Sequence, residues 1–347
     1  MNESAMSGRI NLILGRTGWN RRTVSGVNAA MKRTVPSLLG ILLLLAACSA
    51  SGGAPPSSAG ESASPPPSQE SEQGAIEHPT GSEPVLVVED VGGFVMVDML
   101  ATRLPSFVML GDGRVITHGM QTLEFPGPAL PALMVRTLTE SGMQEVLAAV
   151  EATNLFTGDL QLRGASNVIA DATDTVFTLN AGGREATISV YGLGLLDPSM
   201  GNPQGVTSGE LQAHEILSRL RDSLMAIDTE VSADGWETEG WQPYEAEAFR
   251  LYVRDVTGEP ADGDLPGQVR QWPTEDDPAA FGDEQPGFSD GTRCGVVEGD
   301  LAQTWLAELN QANQNTTWTD GTDRRFRVQA RPLLPGDELT CPELFGA

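Results

Sequence analysis

A short apolar segment near the N-terminus ends at a cysteine, and it separates the part of the chain that is discarded from the part that folds. Met31-Lys32-Arg33 precede a mostly apolar run from Val35 to Ala47. A basic region followed by a short apolar region is typical of a secretory signal peptide. The run is too short for a hydrocarbon core, which takes about 20 residues to cross. We therefore predict that residues 1–47 are removed, with translation starting at Met1 or Met31.

The end of this run is Leu45-Ala46-Ala47-Cys48, which resembles the lipobox of bacterial lipoproteins. The resemblance implies that Cys48 receives a diacylglyceryl group as a thioether and becomes the mature N-terminus. Two or more acyl chains hold a protein stably at a bilayer, where one chain does not. The resemblance thus implies a lipid-anchored protein on the outer, extracytoplasmic face of the cell membrane, with the membrane as a partner through that anchor.

The segment after the cysteine is poor in residues that form a core. Ser49 to Thr80 contains eight Ser, six Pro and four Gly, and Ile76 is its only large aliphatic residue. Such a composition cannot bury enough apolar surface to offset the entropy of ordering the chain. We predict a tether over residues 48–82.

Charge excludes several classes of partner and reaction. The whole chain has a net charge of −26, and residues 1–47 hold six of its 21 basic residues but only one of its 47 acidic residues. The mature chain therefore has a net charge of −31, which repels nucleic acid and anionic lipid headgroups. Lys32 is the only lysine, so the mature chain cannot form a lysine Schiff base or use a P-loop lysine.

Two cysteines remain once Cys48 is assigned to lipid. In an oxidising compartment, Cys294 and Cys341 form an even pair, and we predict a disulfide between them. Closing a loop of that length contributes about 4 kcal/mol in the chain-entropy model. The alternative is a pair of buried free thiols.

The body of the chain reads as an α+β fold, with antiparallel hairpins packed against a few helices. We predict a first α+β domain over residues 83–230, with a hairpin at Phe107–Ile116 around Asp112-Gly113, a second at Thr175–Val190, and helices that open near Leu138 and Thr207. The triple-proline segment Phe125–Pro131 predicts an ordered, extended loop.

A second α+β unit is predicted over residues 231–347, after a hinge at Asp234–Tyr244. It contains a strand at Phe249–Val253, a helix that Asp300 caps, and a hairpin ending at Val328. The acidic, proline-rich stretch 255–290 is either a functional loop or disordered, and we favour disorder. In both units we predict a strand, then a helix, then a hairpin. This shared order indicates either duplication of one α+β unit or the packing rules that all α+β folds share.

The sequence contains partial matches to motifs for metal and cofactor binding, but each match lacks a residue that the motif requires. His214-Glu215 has Ser218 where a zincin helix needs its second histidine, and Gly192-Leu193-Gly194 is an incomplete dinucleotide motif. The acidic residues Asp262, Asp264, Asp276 and Asp277 match no EF-hand, so a solvated acidic loop is preferred to a calcium site. We predict no catalytic residue, no metal and no cofactor.

Tryptophans give the clearest candidates for a binding site. Trp305 and Trp318 lie in a predicted helix stripe and strand, so we assign them to the core. Trp236, Trp241 and Trp272 lie in polar segments, where an indole is costly unless it packs or meets a ligand. We take these three as candidate ligand-binding residues.

Beyond the lipobox, the body resembles uncharacterised lipoproteins of GC-rich bacteria. The resemblance rests on segments that include Gly111–Ile116, Phe125–Pro131 and Tyr191–Gly194, and it implies location without activity. The function we expect is a binding or interaction module of the cell envelope for a small-molecule or protein ligand, with no enzymatic activity. The alternative is an extracytoplasmic hydrolase that uses a carboxylate pair.

Overall fold

The computed structural model describes residues 74–196, 204–260, 267–288 and 290–344. Within them the chain forms two β-sheets and five α-helices, which is the α+β class predicted from the sequence. The predicted signal segment, Cys48 and the predicted tether up to residue 73 lie outside the described residues, as do Asp262 and Asp264.

The first sheet has eight strands in the order β5-β7-β6-β1-β2-β3-β4-β8. Its strands are β1 Pro84–Gly92, β2 Phe107–Leu110, β3 Arg114–His118, β4 Leu133–Thr137, β5 Leu160–Leu162, β6 Thr173–Ala181, β7 Arg184–Tyr191 and β8 Gln242–Pro243. The pairs are antiparallel except for β5 with β7, which is parallel. Both predicted hairpins are confirmed, β2–β3 and β6–β7, and the second turns at Gly182-Gly183, where φ is +63° and +71°.

Two of the five α-helices begin at a residue whose side chain caps them. The five helices are α1 Val97–Thr102, α2 Glu140–Ala152, α3 Ser208–Met225, α4 Ile227–Glu230 and α5 Gly299–Leu309. Thr139 Oγ1 accepts from Gly142 N at the start of α2, and Thr207 with Glu210 forms the predicted capping box of α3. The structure starts α5 at Gly299, so Asp300 lies in its first turn and does not cap it.

Helices α2 and α3 cover one face of the first sheet. Met143, Val146 and Val150 of α2 and Leu217 and Leu220 of α3 are buried in one apolar cluster with β1, β6 and β7. The stripes follow the three-to-four-residue spacing of an amphipathic helix. The predicted α2 and α3 faces are therefore the core of this sheet.

The second sheet has six strands in the order β10-β13-β14-β9-β12-β11. Its strands are β9 Ala248–Asp255, β10 Val269–Gln271, β11 Asp283–Glu284, β12 Arg293–Glu298, β13 Thr317–Thr319 and β14 Phe326–Pro332. Trp305 and Leu309 of α5 pack with Trp318 and Phe326 in its core, as expected for both tryptophans. The predicted disulfide is present, with the Cα atoms of Cys294 and Cys341 6.1 Å apart.

The connection between the sheets departs from the expected hinge. Leu138 bridges Trp236, and β8 pairs with β4, so the segment Asp234–Tyr244 is hydrogen-bonded to the first sheet. The change from one sheet to the other falls between Pro243 and Ala248, later than the predicted boundary at residue 231. Both sheets belong to one compact unit.

The predicted tether also ends earlier than expected. Ile76 packs against the first core, and the Gln144 side chain accepts from its N–H at 2.7 Å and donates to its carbonyl at 2.9 Å. Gly182 N donates to Glu77 O at 2.7 Å. Composition made this segment look unable to pack, but a single aliphatic side chain with paired backbone groups is enough to hold it. Residues 74–82 are therefore part of the body.

Most of the acidic stretch is ordered, against our expectation of disorder. Residues 267–288 contribute β10 and β11, and they bury Trp272 in the second core. Strand β10 pairs in parallel with β13, a contact between segments far apart in the chain. Local composition carries no sign of such a long-range pairing, which is why the disorder prediction was wrong for these residues.

The two units differ in how their hairpins join the sheets. In the first, the earlier strand of the hairpin, β6, lies next to β1. In the second, the later strand, β14, lies next to β9. The strand–helix–hairpin order predicted from the sequence is present in both units. If the units arose by tandem duplication, one of the two hairpins must have changed which of its strands pairs with the rest of the sheet.

Candidate functional site

Trp236 and Trp241 meet, but they form a closed cluster. Their rings contact edge to face at 5.9 Å, and the Arg136 guanidinium lies 3.9 Å from the Trp236 centroid. Asp228 accepts from Arg136 Nη1 at 2.5 Å and from Trp241 Nε1 at 2.6 Å. These contacts occupy the indole N–H of Trp241 and one face of Trp236. The cluster attaches the connection before β8 to β4.

Trp272 lies in a different part of the molecule from the other two candidates. It is buried, with its ring 4.9 Å from Trp305 and 5.9 Å from Phe281. The neighbouring polar residues suggested an exposed indole, whereas the pairing of β10 with β13 carries it into the core. A cleft shared by the three candidate tryptophans is therefore excluded.

A concentration of arginines on one sheet face is the feature that sequence analysis missed. Strand β9 turns Phe249, Leu251 and Val253 towards the core, so Arg250 and Arg254 lie on the opposite face. Strand β14 places further arginines directly opposite them, in the pairs Arg250–Arg331 and Arg254–Arg327. We call these four residues the arginine face.

Two like-charged cross-strand pairs side by side are unfavourable unless other groups compensate them. Four of the 20 arginines of a chain with net charge −26 converge here. The arrangement is the reverse of what overall composition predicts, so its neighbours must explain how it is stabilised.

The C-terminal segment covers one end of the arginine face. Arg250 donates to Thr340 O at 2.7 Å and to Glu338 O at 3.0 Å, and Arg331 pairs with Asp337 at 2.7 Å. Both arginines are buried, and desolvation lowers the pKa of Arg250. The disulfide fastens this segment to β12. At this end of the arginine face, carbonyl groups of the C-terminal segment accept from Arg250, and Asp337 neutralises the charge of Arg331.

The other end of the arginine face opens into a cavity of about 310 Å³, which we call the arginine cavity. Tyr252, Arg254, Arg327 and Gln329 supply the part formed by β9 and β14. Helix α1, the segment before β12 and the residues after α5 supply the rest, which are Asp98, Phe288, Asp290, Thr292 and Gln314. Six of these nine side chains end in a planar polar group, namely Asp98, Arg254, Asp290, Gln314, Arg327 and Gln329.

Hydrogen bonds and ion pairs join the polar side chains of the cavity wall to each other and to Glu259. Arg254 pairs with Glu259 at 2.7 Å and with Asp290 at 3.3 Å. Gln329 Nε2 donates to Asp98 Oδ2 at 3.1 Å, and Asp290 also accepts from the Thr292 hydroxyl at 2.6 Å. These contacts hold the side chains of the wall in place, and a wall that is ordered in advance would lower the entropy cost of binding a ligand.

Aromatic surface completes the cavity. The rings of Tyr252 and Phe288 lie 5.8 Å apart with their planes tilted by 32°. Tyr252 is buried against Ala101 and Cys294, and burial raises the pKa of its hydroxyl. The disulfide therefore supports the cavity floor as well as the C-terminal segment.

The loop Phe125–Pro131 positions one wall residue. It is ordered, as predicted: Ala129 N donates to Ala312 O at 3.2 Å, and Gln314 N donates to Gly127 O at 2.9 Å. These two bonds hold the turn that carries Gln314. A loop from the first unit thus helps to build a cavity on the second sheet.

Two grooves of more than twice this volume have weaker claims to be the site. One, of about 710 Å³, lies where Ile76 docks beside α2, and its existence follows from that docking. The other, of about 740 Å³, is lined by Glu245, Glu247, Glu298 and Asp300. An acidic groove is what the composition of this chain predicts anywhere on its surface, whereas a convergence of arginines is not.

The remaining sequence candidates have structural roles in the described residues. His214 is buried on α3. Asp277 accepts from Ala279 N and pairs with Arg324 at 3.0 Å. No group of three or more His, Cys, Asp or Glu in the described ranges could hold a metal ion. Within the same ranges, none of the helices has the length and apolar content needed to span a bilayer.

The signal for the arginine face was present in the sequence. Arg250-x-Tyr252-x-Arg254 and Arg327-x-Gln329-x-Arg331 each place polar residues at every second position between apolar ones. This alternation predicts that each trio lies on one face of a strand. The pairing of the two strands was not predictable, because 77 residues separate Arg250 from Arg327.

No protein-family profile, curated protein or solved structure matches this chain.

Proposed function

We propose that this protein is a lipid-anchored binding module on the extracytoplasmic face of the cell membrane, and that it holds a small polar ligand in the arginine cavity. The observation that carries the proposal is the cross-strand pair Arg254–Arg327, which opens into a cavity in an otherwise strongly acidic chain. The cavity lies near the lower end of the range of about 300–1,000 Å³ for small-molecule sites.

Location is supported by the lipobox-like segment and by the disulfide. Disulfides persist mainly in oxidising compartments, and Cys294–Cys341 is part of the fold. The test is mass spectrometry of the N-terminal peptide from protein extracted from its native membrane. A diacylglyceryl adduct on Cys48 is expected, and Cys48→Ser must abolish it. An unmodified cysteine in the wild-type protein overturns the anchor.

Ligand binding in the cavity is tested with the full chain in detergent. We would screen amino acids, organic acids, polyamines and sugars for a shift in thermal unfolding temperature. A ligand that stabilises the wild type should lose its effect in the double variant Arg254→Met/Arg327→Met. Arg219→Met removes an exposed arginine on α3 and serves as the control. A ligand that shifts all three proteins equally would place binding outside the cavity.

Hydrolysis is the second candidate, because Asp98 and Asp290 lie on the same cavity and could act as a carboxylate pair. Both accept hydrogen bonds from neighbouring side chains. A hydrolase of this kind uses one carboxyl group with a raised pKa. Burial raises the pKa of Glu89, but Glu89 does not line this cavity. If a bound ligand is cleaved and Asp98→Asn or Asp290→Asn stops cleavage, the hydrolase replaces the binding module.

A further inference from the structure

We propose that the ligand of the arginine cavity is a neutral, polyhydroxylated molecule about the size of one monosaccharide. This inference rests on the proposed function and names its ligand class. It follows from how the cavity places opposite charges next to each other, with Arg254 against Asp290 and Asp98 joined to Gln329 beside Arg327.

The charged side chains that line the cavity sum to a net charge of zero, and Glu259, outside the lining, also pairs with Arg254. Arg254 and Arg327 supply two positive charges, and Asp98 and Asp290 supply two negative ones. A carboxylate that approached Arg254 would also meet Asp290, which is 3.3 Å from its Nε. An ammonium group that approached Asp290 would meet Arg254. Because an unpaired charge is costly to desolvate, a ligand without charge fits this wall best.

The hydrogen-bonding capacity of the wall matches hydroxyl groups. A hydroxyl donates one hydrogen bond and accepts two, so it can bind a guanidinium and a carboxylate at the same time. Gln314 and Gln329 each offer both a donor and an acceptor, and Thr292 adds a hydroxyl. Planar forks such as guanidinium and carboxylate engage two neighbouring oxygens at once. Adjacent hydroxyls on one ring present that pattern.

Shape and aromatic content point the same way. Phe288, half-buried beside Tyr252, gives the wall one apolar surface on which the C–H groups of a sugar ring can pack. The cavity volume of about 310 Å³ corresponds to on the order of ten water molecules. That space suits a single ring better than an oligomer.

The experiment is isothermal titration calorimetry of the full chain with two panels of small molecules. The first contains neutral polyols: glucose, galactose, mannose, arabinose, N-acetylglucosamine and myo-inositol. The second contains charged molecules: glutamate, succinate, phosphate and spermidine. At least one neutral compound is expected to bind, with less than a twofold change in affinity between about 0.1 and 1 M NaCl, over which the Debye length falls from about 10 to about 3 Å.

A variant pair locates the binding. Gln329→Leu removes a donor and an acceptor from the cavity and should weaken binding at least tenfold. Gln161→Leu changes an exposed glutamine on the edge strand β5 and should leave affinity unchanged. Circular dichroism melts of both variants must show that they fold, and Gln314→Leu replaces Gln329→Leu if the latter does not.

Two results separate the ligand class from the proposed function. If a charged compound binds, loses affinity in Gln329→Leu and weakens with salt, the cavity is a binding site but our assignment of a neutral ligand is wrong. If no compound of either panel binds to the wild-type chain, or if binding ignores the cavity variants, both the assignment and the binding site are overturned.

Discussion

Gly142 of helix α2 and Gly235 of the connection before β8 lie with their backbones in contact. A Cβ atom at Gly142 would be 2.1 Å from the carbonyl oxygen of Gly235. The same carbonyl accepts from Thr139 N at 2.9 Å, just before α2. The absence of a side chain at Gly142 is therefore what lets the connection pack against the start of this helix.

Gly142→Ala should destabilise the protein by about 1–3 kcal/mol, the usual cost of inserting a methyl group into a filled space. The clashing atom belongs to the backbone and cannot rotate away. Urea denaturation gives the change in free energy of unfolding. Gly158→Ala is the matched control, since a Cβ at Gly158 meets nothing within 4 Å. Equal midpoints for the two variants would show that the helix shifts at no cost.

Asp228→Ala should cost about 1–2 kcal/mol, because it removes a hydrogen bond from an indole and a half-exposed ion pair. The emission of Trp241 should shift to the red as its ring becomes more exposed. Asp228→Asn keeps an acceptor oxygen and should lose less stability. Tryptophan fluorescence during urea unfolding measures both effects, and an unchanged spectrum for Asp228→Ala would show that the ring cluster holds without Asp228.

Loss of the disulfide should lower stability by about 4 kcal/mol, as the chain-entropy model gives for a closed loop of this length; the two cysteines are 47 residues apart. The double variant Cys294→Ser/Cys341→Ser and the reduced wild-type protein should show the same loss in guanidinium titrations. Cys48→Ser, outside this pair, should keep the wild-type midpoint. If reduction leaves the midpoint in place, the C-terminal segment is held by its other contacts alone.

Burial lowers the pKa of His214, although Glu210 opposes the shift, and neither ring nitrogen has a hydrogen-bond partner among the described residues. The unfolded chain therefore binds the proton more readily than the folded one. Stability should fall as the pH drops through the unfolded value of about 6.5.

His214→Leu should reduce this loss, while His118→Leu, at an exposed position on β3, should retain it. Thermal melts from pH 7.5 to pH 5 measure the difference. Parallel pH curves for wild type and His214→Leu would contradict the prediction.

Local patterns were sufficient for most of the elements. The Asp112-Gly113 turn, the apolar stripe of α2 and the capping box at Thr207 depend on residues within a few positions of each other, and all three are confirmed. The disulfide was predictable because the assignment of Cys48 to lipid left only two cysteines to pair.

Long-range pairing explains what the sequence did not reveal. The sequence indicated a loop at Trp272 and disorder in the acidic stretch. Both interpretations missed the pairing of β10 with β13, which orders this segment and places Trp272 in the core. The arginine cavity needs the register of β9 against β14, together with Asp98 from a helix more than 150 residues away in the chain. Alternation shows which face a side chain takes, but it does not show which strand lies beside it.

The docking of Ile76 has a practical consequence for anyone who designs fragments of this protein. A fragment that starts at Pro84, where the first strand begins, would leave the Gln144 amide and the Gly182 N–H without the partners that residues 76 and 77 give them. It would also uncover part of the apolar surface of the first sheet. Fragments that begin at or before Gly74 keep this edge intact, since Ile76 already packs eight residues before the first strand begins.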